Sequence, residues 1–187
     1  MTDPVRRSAA RLATLVALPV ALVVGLLSVW LLGGLDRSTS APTPAASPRA
    51  TASGPVPVSA PPLTPGTAEV CRAVVAGLPA TVPGGARRPV SAGPEQNAAY
   101  GDPPTTLACG TAPATFAPTA GLTLLSGVCW YAGTGGSRTV WTTVDRVVPV
   151  TVTVPGPAAG SAQSVIPFSD AIAAADVRRP DAPSGCS

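Results

Sequence analysis

Residues 12–34 read LATLVALPVALVVGLLSVWLLGG, 23 residues without a charged side chain. A helix of that length rises about 35 Å, enough for a hydrocarbon core of about 30 Å. The run therefore predicts one transmembrane helix. Pro19 kinks such a helix without forbidding it, and Trp30 near the far end suits the headgroup layer. Arg6, Arg7 and Arg11 flank only the N-terminal side closely, so the positive-inside rule places residues 1–11 in the cytoplasm. The expected topology is single-pass in the cell membrane, with the C-terminal part outside and the lipid bilayer as partner to residues 12–34. A cleaved secretory signal has an apolar stretch of about 7–15 residues. This run is longer, and Pro42 directly after Ala41 is a poor cleavage context. Ser8-Ala9-Ala10 lacks the apolar residues expected after a twin-arginine pair. The first cysteine is Cys71, so no lipid anchor closes the run.

Residues 35–65 hold eight prolines, many Ser and Thr, and almost nothing to bury. No apolar surface repays their ordering entropy, so they are expected to form a disordered Pro-rich stalk. In polyproline geometry it reaches roughly 90 Å at most. Pro62-Leu63-Thr64-Pro65 is its one Pro-x-x-Pro spacing, a match that any proline-rich stalk produces by chance.

The formal charge of +3 is unevenly placed. Residues 1–11 carry +2 and residues 35–65 carry +1, whereas seven arginines balance seven acids from Gly66 onward. The basic balance therefore reports membrane topology, and no nucleic-acid partner is implied. The chain has no lysine and no histidine. Ser-His-Asp and Cys-His sites are thereby excluded, as are Ser-Lys dyads and the phosphate-binding loop. No cofactor or metal is implied.

Residues 66–187 are the predicted folded domain. Thr67 can cap a first helix whose Val70, Cys71, Val74, Val75 and Leu78 share one face. Residues 105–109 read as a short strand. Residues 122–132 and 138–144 flank Gly133-Thr-Gly-Gly-Ser, a loop suited to a hairpin. Val148, Val150, Val152 and Val154 then alternate with Pro149, Thr151 and Thr153, the period of a strand with one buried face, and Pro149 suggests that it starts at an edge. Ser169 can cap a last short helix through Ile172 and Val177. The fold class is α+β, a mostly antiparallel sheet with a helix before and a helix after it. Cys71, Cys109, Cys129 and Cys186 read as two disulfides in a domain facing an oxidising compartment. Three pairings are open and the sequence does not choose among them; the favoured one ties the first helix to the sheet (Cys71–Cys109) and pins the tail (Cys129–Cys186).

An ordered series of short motifs resembles the actinobacterial family called domain of unknown function 3515. It comprises residues 71–78, Arg87-Arg88-Pro89-Val90, Tyr100-Gly101-Asp102-Pro103-Pro104, Leu107-Ala108-Cys109-Gly110, Gly127-Val128-Cys129-Trp130, Trp141-Thr142-Thr143-Val144-Asp145-Arg146 and residues 150–155. The similarity covers about residues 66–178 and the layout of anchor and stalk. It implies a membrane-associated envelope protein and supplies no activity. In that resemblance Cys71 and Cys109 match family cysteines, whereas the position of Cys129 is often an acid. Cys129 and Cys186 then form a local addition, which supports pairing them with each other.

Paired carboxylates remain the one catalytic option. Glu69, Glu95, Asp102, Asp145, Asp170, Asp176 and Asp181 are available, but their spacing marks no pair. A candidate binding surface combines Tyr100 and Asp102 with Trp130, Tyr131 and Arg146, aromatics beside a turn and a guanidinium that suit a glycan or a peptide. The plainer reading has Trp130 and Trp141 in the core, Asp102 in a turn and Arg146 paired with an acid. Arg87-Arg88 suit either an anionic polymer or a solvated edge. The sequence thus points to a non-catalytic binding or structural module of the cell envelope. Its partner would be another envelope protein or, second, a cell-wall polymer. The alternative is an envelope enzyme using carboxylates alone.

Overall fold

Val150, Val152 and Val154 are buried and the threonines between them half-exposed, as expected of a strand with one face covered. In the computed structural model, which describes Val23, Leu27 and residues 54–186, this strand lies inside an eight-stranded antiparallel sheet. The strands are β1 (Thr81–Val82), β2 (Gly85–Arg88), β3 (Asn97–Tyr100), β4 (Thr105–Cys109), β5 (Leu122–Leu125), β6 (Val128–Gly135), β7 (Arg138–Thr143) and β8 (Val150–Pro155). Their spatial order is β1-β2-β3-β4-β8-β7-β6-β5. Helices α1 (Pro65–Gly77) and α2 (Ala162–Ala175) precede and follow the strands, and a 3-10 turn, Ser184–Cys186, ends the domain. The α+β class and the helix-sheet-helix order are as expected. The cytoplasmic segment 1–11, the transmembrane helix 12–34 and the stalk up to residue 53 lie outside the described residues, apart from the two isolated positions. Among the described residues no helix is long and apolar enough to cross a membrane.

One sheet face carries the core. Leu107, Trp130, Trp141, Val150, Val152 and Val154 join Cys71, Val74 and Val75 of α1 and Val165, Phe168 and Ile172 of α2 in one buried cluster. Burying an indole strands its N–H unless an acceptor is supplied. The Trp130 Nε1–H donates to Ser169 Oγ at 3.2 Å and the Trp141 Nε1–H to Ser161 Oγ at 2.9 Å. Tyr100 packs edge-on against Phe168 at 5.5 Å. Its hydroxyl donates to the Pro79 carbonyl at 2.8 Å.

Local expectations shift in four places. Thr64 caps α1, not Thr67: its Oγ1 accepts from the Thr67 N–H at 3.3 Å, and Pro65 takes the first helical position, where its missing N–H costs nothing. Ser169 caps no helix; it is fully buried inside α2 as the acceptor for Trp130. The run 122–132 is two strands, because Ser126 and Gly127 both take positive φ (44° and 77°) in a two-residue turn. β8 pairs on both sides, with β4 and β7, so it is central; Pro149 stands just before its first residue, where no ladder bond is lost.

The domain also starts earlier than residue 66. Val56 is 4% exposed and bridges Val90 in parallel. Its N–H donates to the Pro89 carbonyl at 2.8 Å, and its carbonyl accepts from the Ser91 N–H at 2.9 Å. Further along, Asn97 Nδ2 donates to Ser59 O at 3.0 Å and Gln96 Nε2 to Pro61 O at 3.2 Å. Residues 54–64 are thus a strap over β3. Because the strap covers the face that the helices leave, all four residues of β3 are buried.

Both favoured disulfides are present, Cys71–Cys109 and Cys129–Cys186. The first joins α1 to β4 on the helix-covered face. The second stands on the opposite face, in a smaller buried cluster with Val144, against which Ala114, Phe116, Leu122 and Tyr131 pack.

Candidate functional site

The connection between β7 and β8 meets the chain leaving α2 and runs antiparallel to it. Arg146 bridges Arg178, the Val147 N–H donates to Val177 O at 3.0 Å, and the Arg179 N–H donates to Asp145 O at 2.9 Å. Beneath this clasp lie two buried acids. Asp145 is fully buried. Its Oδ1 accepts the Cys129 N–H at 3.0 Å and lies 3.5 Å from Arg146 Nε, and its Oδ2 lies 3.8 Å from Arg178 Nε. Asp176 is 1% exposed and accepts the Val148 N–H at 3.2 Å. Arg146 donates to the carbonyls of Asp176 at 3.2 Å and Gly127 at 2.5 Å. Each acid therefore holds a backbone amide, and Arg146 ties three segments together.

Above the clasp opens a groove of about 240 Å³. The crossover from β4 to β5 forms one wall with Pro113, Ala114 and Phe116. Thr143, Val144, Arg146 and Pro149 line it from the end of β7 and the connection to β8, and Arg179, Asp181 and Pro183 line it from the tail. Phe116 stacks on Tyr131 with centroids 4.9 Å apart. Arg179 forms a two-bonded pair with Asp181, at 2.7 and 2.5 Å. That pairing holds the Asp181 carboxyl below the ordinary aspartate range. The Thr143 hydroxyl accepts the Val150 N–H at 3.0 Å. The groove thus offers proline and phenylalanine faces beside a half-exposed guanidinium, an arrangement suited to binding an extended, weakly polar ligand.

Of the five residues expected to share a surface, Tyr100 and Trp130 are in the core, at 1% and 0% exposure. Arg146 is buried in the clasp, Tyr131 is half-buried under Phe116, and Asp102 is exposed in the turn after β3. They are not brought together, and the plainer reading of Trp130, Asp102 and Arg146 describes the structure. That turn is built on Gly101, whose φ is +70° and whose Cα faces the Gly84 carbonyl so closely that a Cβ would collide with it. Arg87 stays exposed and Arg88 half-buried, each hydrogen-bonded to backbone carbonyls: Arg87 donates to Val75 O at 3.2 Å, and Arg88 to Gly101 O and Gly54 O, each at 2.9 Å. Sequence reasoning missed the groove because its walls are prolines and one phenylalanine in segments without local periodicity. Phe116, the lone aromatic in residues 110–121, was the only available signal.

Asp145 and Asp176 are the two acids that the fold brings into one cluster; Glu69, Glu95, Asp102, Asp170 and Asp181 are exposed. Among the described residues no group of three or more Cys, Asp or Glu is placed to hold a metal. Burial pushes the Asp176 carboxyl up to about 6; the Val148 amide, Arg146 and the Val147 amide oppose the rise, and Asp145 adds to it. An unfolded aspartate titrates near 3.9, so between about pH 4 and 6 the folded chain holds a proton that the unfolded chain has released. Stability therefore falls as pH rises through that window, by no more than about 3 kcal/mol. Asp176→Asn should remove this part of the slope. Melting curves at pH 4.5 and 7 for both chains check it, and equal slopes would refute the assignment.

No curated protein and no solved structure matches the chain at a significant level. A family model described as "Protein of unknown function (DUF3515)" matches residues 16–180. The buried motif from Trp141 to Arg146, both cysteines of the helix-to-sheet disulfide and the whole of β8 lie inside that match, and the chain belongs to this family.

Proposed function

We propose that the chain is a membrane-tethered module displayed outside the cytoplasm, which binds or organises a component of the cell envelope and performs no catalysis. The observation that carries this reading is the pair of disulfides, one on each face of the sheet, with all four cysteines at most 2% exposed. Such bonds form and persist in oxidising compartments. The uncharged run of residues 12–34 behind its three arginines supplies the tether and its direction.

Binding is favoured over chemistry because the two buried acids serve backbone amides and the groove hydroxyl of Thr143 already accepts one. The groove's mixture of Pro113, Phe116, Pro149 and Pro183 with Arg179 suits an extended peptide of another envelope protein, with a cell-wall polymer as the second choice. A reporter that is active only outside the cytoplasm, fused after Ser187 of the full chain, should be active. Activity confined to a cytosol-specific reporter would overturn the topology and the envelope role together.

A further inference from the structure

The two edges of the sheet are built differently. The β1 edge is two residues long, and the adjoining β2 carries Arg87 and Arg88. At the opposite edge β5 reads Leu-Thr-Leu-Leu, with no charge and no proline. From Pro103 to Ser137 the chain has no charged side chain at all. Natural sheets usually blunt an exposed edge with charge, proline or a covering segment, since unpaired backbone groups invite another strand. β5 has none of the first two; the 3-10 turn of the tail covers the side chain of Leu122, which packs against the Cys129–Cys186 cluster, but Leu124 is left 55% exposed.

The register shows which groups are unpaired. Leu124 stands opposite Cys129, but the Cys129 N–H donates to Asp145 Oδ1 and its carbonyl accepts the Val144 N–H. Cys129 thus spends both groups away from β5, and the N–H and C=O of Leu124 point outward. Antiparallel pairs alternate between bonded and non-bonded, so Leu122, two residues earlier, also points its backbone outward. Neither residue makes an outward backbone bond among the described residues.

We propose that β5 is a self-association edge, pairing antiparallel with β5 of a second copy about a two-fold axis midway between the two Thr123 residues. In that register Leu122 faces the partner's Leu124 and Leu124 the partner's Leu122. Every outward N–H and C=O of the strand then gains a partner, the self-complementarity that a two-fold interface requires. The leucines of the two copies meet on one face, and no charge within either edge opposes the approach. A second copy fits better than an unrelated strand because it brings the same neutral edge in the matching register. The pairing goes beyond the proposed envelope role and does not depend on it.

The two Thr123 residues become a non-bonded pair, with Cα atoms about 4.5 Å apart, within the disulfide range of about 4.4 to 6.8 Å. The full chain carrying Thr123→Cys should give covalent dimer on non-reducing gels, about fivefold or more above a chain carrying Ser137→Cys in the exposed turn after β6. Adding Leu124→Lys should abolish the excess. Without any new thiol, the unmodified full chain in detergent should sediment as a dimer at high micromolar concentration and the Leu124→Lys chain as a monomer. No excess dimer over Ser137→Cys, an excess that survives Leu124→Lys, crosslinking of the Thr123→Cys chain to a different protein, or a monomeric unmodified chain would each overturn the proposal.

Discussion

Replacing Cys71 and Cys109 together by alanine lowers stability by about 4 kcal/mol and Tm by roughly 15 °C. The bond closes a loop of 38 residues between α1 and β4, and removing it returns that loop's closure entropy to the unfolded chain. The bond adds to a modest packed face on α1. Cys71, Val74 and Val75 are its buried residues, and an isolated helix of 13 residues is marginal in water. The effect should therefore appear as early loss of helix α1, visible as loss of protection of its amides from exchange. Opening the Cys129–Cys186 bond, which spans 57 residues, should cost a similar amount and free the tail, so that Arg178 and Arg179 leave the clasp. Calorimetry on the two double-alanine chains checks both values. A loss below about 1 kcal/mol for Cys71 and Cys109 would show that packing alone seats the helix.

Asp145→Ala should cost about 3–5 kcal/mol, the range for breaking a buried ion pair on one side only. The change strands the Cys129 N–H and leaves Arg146, 7% exposed, with a buried guanidinium facing no carboxylate at 3.5 Å. Asp145→Asn keeps an acceptor for the amide and loses the charge, so it should cost roughly half as much. Arg146→Met in the Asp145→Ala background should recover part of the loss, because it removes the orphaned charge. Denaturant titrations of the four chains in a double-mutant cycle measure the coupling. Additive losses would mean that the two side chains act separately.

The parts of this fold legible in the sequence are those with a local period. The alternation through Val150, Val152 and Val154 marked a strand, and the spacing of Val70, Cys71, Val74 and Val75 marked a helix, because each pattern records which side chains face the core. Neighbours set by long-range topology left no such trace. Pro149 looked like an edge residue because proline cannot donate to a ladder, but it stands one residue before the ladder begins. Ser169 has the composition of a cap, yet the demand it answers is that of an indole 39 residues earlier in the chain. Residues 54–64 looked like stalk because they dock mainly through their own carbonyls, which accept from Arg88, Gln96 and Asn97. Every residue type has a carbonyl, so composition cannot report that mode of docking.

The candidate site shows the same division. Asp145 was visible as one acid among seven, but its burial depends on the tail returning past β7, and that return is enforced by Cys186. Tyr100, Trp130 and Arg146 drew attention as residue types common at interfaces. They are equally the types a small core uses when it supplies an acceptor for each polar tip, as Pro79, Ser169 and Gly127 do here. The groove came from three prolines and a phenylalanine on separate segments, a set with no sequence signature.

The central position of β8 has a consequence for synthesis. A chain emerging N-terminus first presents α1 and β1–β4 as one unit and β5–β7 as another, and no strand pairing joins them until residues 150–155 arrive between β4 and β7. α2, which roofs Trp130 and Trp141, follows later still. The nascent domain therefore carries both indoles and Leu107 without their native cover until its last strand and helix are made. Completion awaits nearly the whole chain, the order expected for a fold dominated by non-local pairing, and during that interval the domain most needs protection from aggregation.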